Sequence, residues 1–204
     1  MKVKVCGMRD PQNIAEATSL PIDFMGFIFW DGSSRFVQHP TPKLPNSITK
    51  VGVFVNASLT EILATARQHQ LGAIQLHGQE SVELCQQLQA AGTLVIKAFS
   101  VGKTFDFSQL RPYESHCDYF LFDTKSDLPG GSGKQFDWTL LSEYDSPTPF
   151  WIAGGIGPKD VETVLQLKKK DLPLHTLDLN SKFETAPAQK NIELLAEFLN
   201  QIQS

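Results

Sequence analysis

Short apolar runs recur along the chain with polar segments between them. They are VKVC (residues 3–6), DFMGFIF (23–29), KVGVFV (50–55), GAIQLH (72–77), TLVIKAF (93–99), DYFLFD (118–123), PFWIAG (149–154) and LHTLDL (174–179). Their starts lie roughly 20 to 30 residues apart, the period of βα units. Each run is brief and rich in Val, Ile and Phe, as expected of strands buried on both faces. The intervening segments carry helix signals. Asp10-Pro11 is an N-cap and first-turn pair opening PQNIAEATSL. Ser58 and Glu61 form a capping box ahead of EILATARQHQ. ESVELCQQLQAAG closes on Gly92, a C-terminal glycine stop. Gly157-Pro158 opens PKDVETVLQLKKK, with Val161, Val164 and Leu165 at helical spacing and Lys168, Lys169 and Lys170 where a helix C-terminus favours cations. In NIELLAEFLNQI, residues Ile192, Leu195, Leu199 and Ile202 share a face.

Eight strands alternating with helices predict an α/β protein, a (β/α)8 barrel, in one domain over residues 1–204. An open doubly wound sheet is the alternative. One unit is defective: HPTPKLPNSIT carries Pro40, Pro42 and Pro45, which leaves room for a loop or a single turn in place of the helix after strand two. FSQLRPYESHC, after strand five, is also short for a helix.

Composition narrows the function classes. A net charge of −4 without a basic block excludes a nucleic-acid footprint. No apolar run approaches ~18 residues, so no membrane span is expected. The opening MKVKVCGMRD enters a strand pattern at once and lacks the apolar core of a signal peptide, which points to a cytoplasmic protein. Cys6, Cys85 and Cys117 read as reduced thiols, and their spacing matches no zinc site. The expected partner is a small molecule, with the chain acting as a monomer or homodimer.

The stretch DTKSDLPGGSGKQFDW resembles the end of a nucleotide-binding P-loop, but the match fails twice. The first glycine of that motif would stand at Leu128, and the hydroxyl after the lysine is replaced by Gln135. Glycines 130, 131 and 133 remain free to form an anion-binding turn or a plain flexible connection. In a barrel, function gathers where strands end. Polar and glycine residues cluster there: Cys6-Gly7, Ser33-Ser34-Arg35, Gln75 and His77, Asp123, Gly154-Gly155, and Asp178 with Asn180-Ser181.

Taken together, KVCGMRD, GFIFWDGSSRFV, VGVFVN, QLHG, DTKSDLPGGSGKQFDW, WIAGGI and LDLNSKFE resemble the phosphoribosylanthranilate isomerase family, in order and over residues 3 to 191. The resemblance implies a (β/α)8 fold and a cofactor-free Amadori rearrangement in tryptophan biosynthesis, from N-(5-phosphoribosyl)anthranilate to 1-(2-carboxyphenylamino)-1-deoxyribulose 5-phosphate. It implies Cys6 as general base and Asp123 as general acid. It also implies Arg35 on the anthranilate carboxylate, Gln75 and His77 lining the pocket, and Asp178 on a ribose hydroxyl. The phosphate falls to Gly154, Gly155, Asn180 and Ser181, completed by Gly131, Ser132 and Gly133.

An ordinary Asp loses its proton and an ordinary Cys keeps it near neutrality, the reverse of these roles, so the site must shift both. The apolar YFLF before Asp123 offers one rationale. Lys4, two residues before Cys6 and on the same strand face, offers the other. The chain departs from the family pattern at Lys182, and at Pro187-Ala188 and Lys190-Asn191, where Pro-Gly and Lys-Asp are usual. Two other functions stay open at this point: a different phosphosugar-acting barrel isomerase or epimerase, and a catalytically silent barrel that only binds. Cys6 could be a core thiol, Asp123 a turn residue, Arg35 a surface ion pair and His77 a satisfied strand-end histidine. Cys85, Cys117, His39, His69, His116 and His175 fit no motif.

Overall fold

The computed structural model describes residues 1–124 and 136–203. Eight parallel strands close into a barrel in sequence order: β1 (Lys2–Val5), β2 (Phe24–Ile28), β3 (Thr49–Phe54), β4 (Ala73–Leu76), β5 (Leu94–Val101), β6 (Tyr119–Thr124), β7 (Phe150–Ile152) and β8 (Leu174–Leu179). All eight apolar runs of the sequence are strands, and the open-sheet alternative is excluded because β1 pairs with β8 as well as with β2. Helices α1 (Pro11–Ala17), α2 (Leu59–His69), α3 (Val82–Ala90), α4 (Val161–Lys168) and α5 (Ile192–Gln203) wrap the outside.

Local signals set most boundaries. Asp10 accepts the Asn13 backbone N–H at 2.8 Å to open α1. The reciprocal Ser58–Glu61 bonds open α2. Gly92 sits at φ +78° just after α3, where a side chain would be strained. After β2 the prolines hold: no helix forms between Ile28 and Thr49, and the segment fills its place with Val37, Leu44 and Ile48 buried against the strands. The elements after β5 and β6 are short 3-10 turns, Phe107–Tyr113 and Trp138–Glu143, capped by Asp106 and Asp137.

In two helices the buried face differs slightly from the periodicity. α4 buries Val164 and Leu167, with Val161 and Leu165 only half-buried; α5 adds Phe198 to Leu195, Leu199 and Ile202. A small antiparallel hairpin, β9 (Glu184–Ala186) with β10 (Gln189–Lys190), interrupts the path from β8 to α5 and was not legible in the pattern.

Alternation along the strands divides the core in two. Phe24, Val51, Ala73, Ile96, Ala98, Leu121, Trp151 and Ala153 fill the barrel interior, while a larger cluster lies between strands and helices. On β6 this corrects one expectation. Phe120 and Phe122 belong to the outer layer, and Leu121 and Tyr119 are the members of the run that face the interior with Asp123. The apolar YFLF run therefore does not surround the Asp123 carboxyl.

Candidate active site

Every predicted site residue that is described lines one cavity at the carboxyl-terminal mouth of the barrel: Cys6, Arg35, Gln75, His77, Asp123, Gly154, Gly155, Asp178, Asn180 and Ser181. Gly131, Ser132, Gly133 and Lys134 lie outside the described residues. Two-residue alternation is what aims the inner groups. Lys4 and Cys6 share the inner face at β1, Gln75 and His77 at β4, Asp178 and Asn180 at β8.

Lys4 is fully buried and forms the centre of the floor. Its ammonium donates to Asp178 Oδ2 at 2.7 Å and to the Gln75 side-chain oxygen, and lies 6.0 Å from the Trp151 ring centroid. Gly26 makes this possible. A Cβ there would stand 2.7 Å from both the Cys6 Sγ and the Lys4 Cε. Burial works against the Lys4 charge, but Asp178 and Cys6 outweigh it and hold its pKa above the ordinary value. Burial pushes Asp178 up in spite of Lys4. Asp178 Oδ1 is buried without a hydrogen-bond partner among the described residues.

Cys6 is the second correction. Lys4 does pull its thiol toward the thiolate, helped by Lys190, as the strand-face argument expects. Burial is nevertheless the larger effect, and the net shift is upward. A strand pattern identifies which charge is near; it cannot weigh that charge against desolvation.

On the far wall, Asp123 Oδ2 faces His77 Nε2 at 3.1 Å, and Oδ1 accepts the Thr124 backbone N–H at 2.8 Å. Gly154, at φ +86°, packs directly on this carboxyl. A Cβ there would come within 2.6 Å of Asp123 Oδ1 and 2.4 Å of Thr124 Oγ1.

Arg35 reaches the mouth from the loop after β2. Its Nε and Nη2 clamp Glu184 at 2.9 and 2.6 Å, leaving Nη1 clear of that pair. Glu184 also accepts Lys190 Nζ at 2.5 Å, and Lys190 donates to Asn180 Oδ1 at 3.0 Å. Burial tends to raise the Glu184 pKa, but the two cations outweigh it and bring it below the ordinary value. Glu184 and Lys190 were missed from the sequence as site residues. The only available signal was their place in the family-like tail SKFETAPAQK, which marked the segment but not the fold-back of β9–β10 that brings both under Arg35. Trp30, on the apolar side of the cavity, was also missed.

Among the described residues no set of His, Cys, Asp and Glu is grouped as metal ligands would be, and no helix is long and apolar enough to cross a membrane.

A closed parallel barrel with a thiol, carboxylates and an imidazole converging at its carboxyl-terminal mouth defines the class: a (β/α)8-barrel enzyme. Within that class, the family model for N-(5′-phosphoribosyl)anthranilate isomerase matches residues 3–201, and the chain belongs to this family. It is 45% identical over 203 residues to the N-(5′-phosphoribosyl)anthranilate isomerase of Phocaeicola vulgatus, covering 100% of this chain and 98% of that one. It superposes on the crystal structure of phosphoribosyl anthranilate isomerase from Thermotoga maritima with a TM-score of 0.86 at 31% identity, covering 100% of this chain and 98% of that one. A further solved phosphoribosyl anthranilate isomerase is in complex with reduced 1-(o-carboxyphenylamino)-1-deoxyribulose 5-phosphate. It has a TM-score of 0.83 at 29% identity, with 100% and 98% of the two chains covered.

Proposed function

We propose that this chain carries out the phosphoribosylanthranilate isomerase step of tryptophan biosynthesis in the cytoplasm, with Asp123 as general acid and Cys6 as general base. The observation that carries the assignment is that thiol and carboxyl open onto one cavity from β1 and β6, in a chain of this family.

The chemistry follows from those two groups. Asp123 gives its proton to the furanose ring oxygen as the C1–O bond breaks, and the anthranilate nitrogen's lone pair forms the Schiff base. Cys6 then removes the proton from sugar C2, and the electron pair moves to give the enolamine. Reprotonation at C1, as the C2 hydroxyl gives up its proton to form C2=O, yields the ketone; these two proton transfers restore the acid and the base, so atoms and electrons balance without an external oxidant. Arg35 Nη1, outside the pair with Glu184, suits the anthranilate carboxylate while Glu184 holds the rest of the fork. Asp178, on the cavity lining at the end of β8, suits a ribose hydroxyl. Gly154 and Gly155, both at positive φ, and Asn180-Ser181 suit the phosphate through backbone N–H groups. Trp30 with Ile28 and Val53 offers the apolar wall for the aromatic ring. A monomer is the assembly this surface favours, because Met1 is the one large hydrophobic exposed among the described residues.

The test is direct. Generate phosphoribosylanthranilate in situ and follow the loss of its fluorescence. The protein should turn it over, and Cys6→Ala and Asp123→Asn should each lower kcat on the order of 100-fold or more while circular dichroism stays unchanged. Folded wild-type protein without turnover overturns the proposal, and so does a fully active variant at either position.

A further inference from the structure

A continuous chain of side-chain hydrogen bonds runs from the barrel interior to the cavity wall. Lys4 Nζ donates to the Gln75 side-chain oxygen; Gln75 Nε2 meets His77 Nδ1 at 2.8 Å; His77 Nε2 meets Asp123 Oδ2 at 3.1 Å. The roles along it are fixed by chemistry. An ammonium has donors only, so it must take the amide oxygen of Gln75. That turns the amide NH2, also donor only, toward His77. His77 Nδ1 must then accept, and its proton is on Nε2, directed at Asp123. Turning the amide over would set NH2 against the Lys4 ammonium. Asp178 clamps that ammonium from the other side at 2.7 Å, and all three inner groups are buried.

We propose that Gln75, held by Lys4, is a positioning residue that locks His77 as the Nε2–H tautomer and so keeps an N–H donor on the Asp123 carboxyl. The charged groups facing this imidazole are Asp123 from β6, Asp178 from β8 and, through Gln75, Lys4 from β1.

The consequence rests on the reading of Asp123 as the acid. As Asp123 gives up its proton, negative charge grows on its oxygens. An N–H bond to a carboxylate is stronger than one to a neutral carboxyl. The donor from His77 therefore favours the state after proton transfer, which makes it an aid to ring opening rather than to substrate binding. The opposite tautomer would set the His77 lone pair against the carboxylate lone pairs and lose that aid.

The experiment reads the tautomer itself. In protein labelled with ¹⁵N in its histidine rings, at a pH where imidazole is neutral, His77 should show a protonated Nε2 and a bare, pyridine-type Nδ1. Gln75→Glu keeps the shape and the Lys4 contact but turns the donor into an acceptor. It should move the proton to Nδ1 and lower kcat on the order of 10-fold, the worth of about one hydrogen bond, with KM little changed. A residue that merely filled space would tolerate this isostere.

The lock is overturned if wild-type His77 carries its proton on Nδ1, or if Gln75→Glu shifts the proton and leaves kcat untouched. The first reading needs no variant, so it stands even where Gln75→Glu fails to fold. Asp123→Asn with full turnover would remove the acid assignment without altering the wild-type ring signals, so the two failures are told apart.

Discussion

Cys6 shows how far a residue's role depends on its surroundings. In the proposed role of base, Cys6 must be deprotonated. Burial raises the Cys6 thiol, and Lys4 and Lys190 pull it back only in part. The ascending limb of kcat/KM therefore belongs at alkaline pH, above the ~8.5 of an ordinary thiol. Lys4→Met removes one of the two lowering charges, so iodoacetamide should alkylate Cys6 along a profile displaced to still higher pH. An unchanged profile would show that Lys4 has no hold on the thiol. The same change strands Asp178 in the interior, so the variant should also lose about 3–5 kcal/mol of stability, the usual cost of breaking a buried ion pair. From the sequence, Lys4 was visible as a neighbour on the same strand face. Its ties to Asp178 and Gln75, far away in the chain, were not, because only closure of the barrel sets β1 beside β8 and across from β4.

Among the elements, the β9–β10 hairpin adds most to the site beyond the predicted strand ends. It hands Glu184 and Lys190 to Arg35. At its turn Ala188 sits at φ +66°, the left-handed region that costs a side chain about 1–2 kcal/mol, and its N–H donates to Glu184 at 3.2 Å. The sequence showed this position as a departure from the usual Pro-Gly and left the loop's shape in doubt. The structure keeps the glycine-type shape with alanine in it. Ala188→Gly should therefore raise stability, by about 0.5 kcal/mol once glycine's extra freedom in the unfolded chain is set against the relieved strain, read from urea midpoints at constant slope. A loss of stability would mean that the buried methyl group outweighs the strain. The strands and capped helices were legible because apolar period, capping side chains and prolines act within a few residues. The hairpin was not, because its driving contacts are ion pairs to a loop some 150 residues away.

For the whole molecule, the interior and outer apolar clusters account for the large side chains, and the described surface exposes only Met1 among them. With Met1 the one large hydrophobic exposed among the described residues, sedimentation at micromolar concentration should give a single species near 22.7 kDa. A stable dimer there would show that polar contacts alone hold the chains together.

The apolar pattern by itself determined that eight short strands alternate with helices, that one helix is lost to proline, and which residues end up at strand termini. These are local matters of spacing, capping and backbone restriction. Motif order also marked the family and its candidate acid and base. Tertiary structure alone decided the electrical state of the site. Burial outweighs Lys4 at Cys6, the phenylalanines before Asp123 turn away from it, and an amide held by an ammonium settles which imidazole nitrogen bears a proton. Such outcomes depend on distances in three dimensions and on the exclusion of water, neither of which a linear spacing encodes.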